Sequence, residues 1–494
     1  MRTGNTPDGS RMKYGFSLLG EAKGAAHWSP KEFGLLASGI LLLTAALYWR
    51  TLSANFVADD WLVLDDLNRL GPWQAFLERA NPIGSLVYRP LAWLYFALMY
   101  GTFGLNPVPF HLVSLLLHVA NGTLVGWIGT RLAGDKVSGI IAGCLFVALV
   151  SLHLDCFLWF VGMFDIGAMT CALLSAFFLI RSRMKTSAVL MACAFLFKEA
   201  AAFLPILFIA WILLERGRLR SLFFHGIVTV AYIVAKFLGA SPFLVNRGNG
   251  HAMDPSWSVL AERTWEYISW VTISFLPFLE SRVTTGVLVL LLLLAWSVSR
   301  YRAPRKVPFA HIVLLVIWVF IALAPVLLLK NQSAKYYAFH AAVPAAVLAS
   351  IVIREITTRA FPKRGTIVAA VLVAGVAAAN AWYTESMFSL GMKQRVIHDG
   401  YFHLIGREAI VDALEDSLRA FPQPLPHGTR IFVRGASLDA TGQSAAVRLW
   451  FRDSTLRLSA GGPRQPGDSA NAGGEDGARV ITIDLSEAAA PKPE

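Results

Sequence analysis

Long apolar blocks separated by short charged loops fill most of the first 384 residues. Blocks able to cross a bilayer lie at about 33–50, 109–130, 137–152, 166–180, 186–198, 200–214, 221–239, 284–299, 308–329, 336–353 and 365–383. Several are shorter than the roughly 20 residues that a perpendicular span needs. A further block, 89–104 (RPLAWLYFALMYGTFG), is bounded by Arg89-Pro90 and by Gly104 and Pro107, and it is rich in aromatics, as a helix lying in the membrane interface is. Beyond residue 385 the pattern changes. Residues 404–420 repeat apolar positions at helical spacing, GTRIFVRG and ARVITIDL read as strands, and the Gly/Pro/Asp-rich stretch 460–478 reads as a flexible loop. The pattern predicts an all-α polytopic membrane protein with about 11 transmembrane helices and a small α/β C-terminal domain. The expected parts are an N-terminal segment (1–32), a membrane module (33–384) whose first outer loop (51–108) carries interfacial helices, and the C-terminal domain (385–494).

Composition agrees: of 494 residues, 55% are hydrophobic and 15% charged, against roughly 25% charged in soluble proteins. The net charge of +12 would suggest nucleic acid in a soluble chain, so its distribution matters. With 89–104 on the membrane surface, one set of alternate loops, including 1–32, 131–136, 181–185, 215–220, 300–306 and 354–364, carries 21 Lys and Arg against 6 acids. The other set, with its span edges up to position 384, carries 11 basic and 12 acidic residues. If 89–104 crossed instead, every later basic cluster would fall outside, against the rule that positive charge stays in the cytoplasm. The expectation is therefore a multi-pass protein of the inner (plasma) membrane, N-terminus cytoplasmic, C-terminus extracytoplasmic, with no basic face left for nucleic acid. The first apolar block begins late for a signal peptide and reads as a retained span. Cys144, Cys156, Cys171 and Cys193 lie in or beside apolar blocks without a CxxC pair and read as packing residues.

Candidate chemistry collects at span edges on the predicted outer side. The first outer loop opens NFVADDWLVLDD, placing Asp59 and Asp60 at the mouth of the first span, where a carboxylate can act as general base on a hydroxyl. Asp65 and Asp66 read as a solvated helix face. His153, Asp155 and Asp165 fall in one outer turn. Lys198 and Glu199 interrupt an apolar run and read as an ion pair at the boundary. Lys330, Lys335, Tyr336, Tyr337 and His340 fall in another outer turn. His111 and His118 share a face of the second span and read as hydrogen-bonded packing groups. HExxH, paired CxxC and DxD are absent, so no metal site is expected from a ligand motif, although a divalent cation is compatible with the acids; GxGxxG and GxxxxGK[ST] are absent too.

In this order, FVADD, Arg89-Pro90-Leu91, NPVPFHLVSLLLHVAN, the turn with Asp155 and Asp165, FLFKEAAAFLPILF and AKYYAFHAAVP resemble the membrane-embedded GT-C glycosyltransferases. The branch that uses polyprenyl-phosphate sugars, including protein O-mannosyltransferases and their tetratricopeptide-bearing relatives, is the most similar, over about residues 50–350. The resemblance implies an inverting glycosyltransferase that moves a sugar from a polyprenyl-phosphate donor to a hydroxyl acceptor (glycolipid, polysaccharide or protein) at the extracytoplasmic face. It implies Asp59 or Asp60 as catalytic base, and Arg89, Asp155, Asp165, Lys198, Glu199, Lys335, Tyr336, Tyr337 and His340 around the donor phosphate and substrate. The family pattern often has Arg where Lys335 stands, and Lys cannot grip phosphate in a two-pronged way. No tetratricopeptide array follows the last span, which points to bacterial-type members with a small periplasmic domain. The alternative is a transporter or flippase of a lipid-linked saccharide, which wants charges at mid-membrane on broken helices.

Overall fold

A computed structural model describes residues 27–83, 88–238, 253–277, 296–297, 307–330, 333–394, 403–434, 440–460 and 480–485. The helices are α1 (Pro30–Tyr48), α2 (Asp59–Leu70), α3 (Pro72–Ala80), α4 (Pro90–Phe103), α5 (Pro107–Ala133), α6 (Lys136–Ala148), α7 (Val150–Leu158), α8 (Met163–Ile180) and α9 (Met184–Phe197). Then come α10 (Leu204–Leu214), α11 (Phe223–Leu238), α12 (Trp257–Ile273), α13 (Phe309–Leu327), α14 (Ala342–Ala360) and α15 (Gly365–Gln394). In the tail lie α16 (His403–Arg419), β1 (Arg430–Arg434), α17 (Ala440–Phe451), β2 (Arg457–Ala460) and β3 (Val480–Asp484).

The chain is an integral multi-pass membrane protein. Among the described residues seven helices are long and apolar enough to cross a membrane, or eight if α6 and α7, bent by 54° at Leu149, form one broken span. Two shorter apolar helices, Met184–Phe197 and Glu199–Leu214, coincide with two further expected blocks, while most of block 284–299 lies outside the described residues. Among the described residues, eleven crossings are therefore not reached by helix length alone. The short α2, α3 and α4 occupy the first loop, where interfacial helices were expected.

Local sequence sets these boundaries. Ser29 and Glu32 form a capping box at the start of α1, while the side chains of Asn106 and Asp135 cap α5 and α6. Small residues bring α5 and α6 together: a Cβ on Gly139 would collide with the Thr130 hydroxyl and the Gly126 carbonyl, and one on Gly143 would meet the Gly122 carbonyl. Close backbone approach of this kind replaces the hydrophobic drive that lipid removes. A large apolar core joins α1, α5 to α10 and α13 to α15.

The tail is a three-stranded parallel sheet in the order β2-β1-β3, with Ile431 opposite Leu458 and Ile481. Parallel neighbours need a crossover, and α17 supplies the one between β1 and β2. Ile431, Val433, Leu458, Ile481 and Ile483 bury one side against Leu414 and Leu418 of α16 and Val447 of α17. Nearly all of the stretch 460–478 lies outside the described residues.

Candidate active site

Ala58, at φ +50°, turns the chain sharply into α2, so that Asp59 becomes the first residue of a 12-residue helix. Carboxylates in a first turn meet the positive end of the helix dipole. The two adjacent acids then diverge. Asp59, with Leu62, Val63 and Asp66 at helical spacing behind it, lines a cavity of about 650 Å³. Asp60 is fully buried and accepts hydrogen bonds from the backbone N–H groups of Val57 (3.0 Å), Phe160 (3.3 Å) and Val161 (3.1 Å). Burial raises the Asp60 pKa well above the ordinary carboxylate range, against the pull of those three N–H groups, and the neighbouring Asp59 charge adds to the rise. Asp60 thereby ties the loop that presents Asp59 to the 3-10 turn Phe160–Gly162, which leads directly into α8 and its Asp165.

The same cavity is lined by two ion pairs formed by elements distant in sequence. Arg89, the residue before α4, donates through Nε to Glu199 Oε2 at 2.9 Å and through Nη2 to Oε1. The Lys198 Nζ donates to both oxygens of Asp165, at 2.8 and 2.7 Å. Both partners of the second pair are buried, with side chains 11% and 6% exposed. Lys198 and Glu199 thus belong to two separate pairs, correcting the expectation that they pair with each other. Their divergence follows from the extended backbone of Lys198 between α9 and the 3-10 turn Glu199–Phe203, which sends successive side chains in different directions. The rings of Tyr336 and Tyr337 each lie 5.6 Å from Lys198 Nζ, and the Arg89 guanidinium sits 4.5 Å over Phe164. Ala322, Pro325 and Val326 of α13 add an apolar stretch to the cavity lining.

Seven of the residues singled out from sequence therefore share one cavity: Asp59, Arg89, Asp165, Lys198, Glu199, Tyr336 and Tyr337. Asp60, Asp155, Lys335 and His340 are not among its lining residues. Asp155 lies in α7, within reach of the charge of Lys335, whose Nζ stands 6.0 Å from the Tyr383 ring. His340 is buried, 5.5 Å from the ring of Phe203. His111 Nε2 meets the Ala54 carbonyl at 3.1 Å, while His118 packs 5.0 Å from His153.

The structure adds Asp66, Arg79, Trp93 and Trp159 to the wall. Arg79 binds Asp66 at 2.7 Å and lies 4.9 Å over the Trp93 ring. Asp66 is thus no simple solvated helix face, and neither is Asp65, which binds Arg448 of α17 at 2.6 Å. The spacing of Asp59 and Asp66, seven residues apart on a helix, was the available signal for Asp66. Among the described residues no group of three His, Cys, Asp or Glu is placed to hold a metal ion.

No protein-family model matches the chain. Protein O-mannosyl-transferase TMTC2 of Mus musculus is 35% identical over 145 residues, 27% of this chain and 17% of that protein. Protein O-mannosyl-transferase Tmtc1 of Drosophila melanogaster is 32% identical over 163 residues, 31% of this chain and 18% of that protein. These sequence relatives are named protein O-mannosyl-transferases. The resemblance to protein O-mannosyltransferases read from the motifs is borne out by these relatives. The matches span less than a fifth of the length of these curated relatives. Among solved structures, ArnT from Cupriavidus metallidurans bound to undecaprenyl phosphate aligns with 92% of this chain and 90% of its own, at 13% identity and a TM-score of 0.48.

Proposed function

We propose that the chain is an inverting glycosyltransferase that moves a sugar from a polyprenyl-phosphate donor to a hydroxyl acceptor at the extracytoplasmic face of the membrane. The observation that carries this reading is the single cavity lined by Asp59, Arg89 and Lys198 together with apolar residues of α13. Similarity to named O-mannosyl-transferases supports the same reaction class. The carboxylate of Asp59 takes the proton of the acceptor hydroxyl. The acceptor oxygen bonds to the anomeric carbon from the face opposite the phosphate. The bond from that carbon to the phosphate oxygen breaks, and polyprenyl phosphate leaves with the electron pair. Arg89 and Lys198 stabilise the growing phosphate charge; Glu199 and Asp165 hold these cations in place before the donor arrives. Ala322, Pro325 and Val326 give the isoprenoid chain an apolar surface, and the paired rings of Tyr336 and Tyr337 give the sugar one aromatic wall.

The charges sit at helix ends: Asp59 begins α2, Arg89 precedes α4, Asp165 lies in the first turn of α8, and Lys198 follows α9. A transporter also places charge at the ends of broken helices, so formation of a glycosidic bond is what separates the two readings. Mass spectrometry of extracytoplasmic glycans and glycolipids from cells with and without the chain tests the proposal. One glycoconjugate is expected to lose a single sugar in the deficient cells, while unspent polyprenyl-phosphate sugar accumulates. Unchanged glycoconjugates, or movement of donor across vesicles without a new glycosidic bond, would overturn it.

A further inference from the structure

The helix that presents Asp59 has two working faces. Asp59, Val63 and Asp66 turn to the cavity, while Trp61, Leu64 and Asp65 turn to the opposite side, where the C-terminal tail packs. Trp61 meets Trp450 edge to face, with ring centres 5.4 Å apart. Leu64 and Leu67 share a buried cluster with Ala445, Ala446 and Leu449 of α17. Arg448 Nη2 donates to Asp65 Oδ2 at 2.6 Å, with side chains only 26% and 20% exposed. A second tether lies just before α2, where Asn55 Nδ2 donates to Asp412 Oδ1 of α16 at 3.1 Å. The helix needs such support: Ala58, at its N-cap, makes no side-chain capping bond and holds a positive φ.

We propose that the tail is a positioning element of the transfer site, and that Asp65 and Arg448 form the pair that fixes the rotation of α2 and with it the aim of Asp59. A 12-residue helix clamped along its back can rotate little about its axis. Without the clamp the Asp59 carboxylate, at the first turn, moves relative to cations held on other elements. A misplacement of about 1 Å costs on the order of 100-fold in rate. The pair does not touch the cavity, so it acts on Asp59 through the helix and leaves donor binding to Arg89 and Lys198.

The proposal rests on the transferase reading, and the test separates the two. In the purified full-length chain, kcat and donor KM are measured for Asp65→Asn, Arg448→Gln, the exchanged pair Asp65→Arg with Arg448→Asp, and Asp59→Asn. The single variants are expected to lose 10- to 100-fold in kcat with donor KM within about twofold of the parent. The exchanged pair is expected to regain most of kcat. Single variants with unchanged kcat, while Asp59→Asn is inactive, would overturn the positioning role and leave the transferase reading standing. Losses that merely follow the folded fraction, with no recovery in the exchanged pair, would overturn it as well. Full activity in Asp59→Asn would remove the reading beneath it.

Discussion

Removing Lys198 from its pair with Asp165 tests whether the pair is as desolvated as its burial implies. The Nζ lies 2.7 Å from Asp165 Oδ2, and the two side chains are 11% and 6% exposed. At that separation and an effective dielectric of about 20, the pair gains on the order of 6 kcal/mol of Coulomb energy, most of it offset by lost hydration. Deleting one partner of such a buried pair typically costs about 3–5 kcal/mol, because the other charge stays buried alone. Lys198→Met leaves Asp165 with the more distant Arg89 charge, which also acts on it, so the expected cost is near the lower end, about 3 kcal/mol. Asp165→Asn leaves Lys198 5.6 Å from the adjacent rings of Tyr336 and Tyr337, and cation–π attraction of about 1 kcal/mol makes this variant milder. The double variant Lys198→Met with Asp165→Asn buries no lone charge and is expected to lie within about 1–2 kcal/mol of the parent. Equilibrium unfolding in mixed detergent micelles measures all three, alongside transfer activity. The expected pattern is two destabilised single variants, a double variant with stability regained, and little or no transfer in any variant. Single variants within about 0.5 kcal/mol of the parent would refute the reasoning, because the pair would then behave as a screened surface bridge.

Other expectations follow from contacts elsewhere. Asp60→Ala leaves three buried backbone N–H groups without acceptors, each costing about 1–3 kcal/mol; hydrogen exchange should accelerate at Val57, Phe160 and Val161, and unchanged exchange would contradict the assigned bonds. Gly139→Leu forces α6 away from the Thr130 hydroxyl and the Gly126 carbonyl, so the yield of folded protein should fall sharply, whereas the same change at Gly39, which has open space around it, should be tolerated. In the tail, Asp453 is partly desolvated, but bonds from Thr455 and the nearby His427 outweigh this and lower its pKa. Because the folded pKa is the lower one, its stabilising contribution is present above the unfolded value near 3.8 and fades as pH falls through the folded value. Thr455→Val should therefore weaken tail stability at pH 7 and flatten its decline below about pH 4, as read by circular dichroism.

The membrane module was legible because a bilayer forces its helices to be written as continuous apolar blocks. The charges beside those blocks were legible for the same reason: Arg89, Asp165, Lys198 and Glu199 interrupt sequence that lipid would otherwise keep apolar. Their partners were not. Nothing in local spacing says that Arg89 reaches Glu199 110 positions away, or that Lys198 crosses to Asp165. Asp65 and Asp66 looked like a water-facing helix side because α2 is amphipathic, yet that side lies between the cavity and α17. Lys335 was placed with the site by the charged outer turn it sits in and by the family position it occupies; it begins the 3-10 turn Lys335–Ala341, its Nζ lies 6.0 Å from the Tyr383 ring, and it is not among the cavity's lining residues. In the tail, α16, β1 and β3 followed their apolar patterns, while α17 and the four-residue β2 left too short and mixed a signal.

The central claim concerns Asp59, and one measurement bears on it most directly. Transfer of sugar from a polyprenyl-phosphate donor is followed in proteoliposomes for the parent chain, Asp59→Asn and Asp60→Asn, each normalised to folded protein. A base in the cavity predicts that Asp59→Asn loses on the order of 100- to 10,000-fold in kcat, whereas Asp60→Asn loses activity in step with its stability. Parent-level turnover in Asp59→Asn would contradict the account.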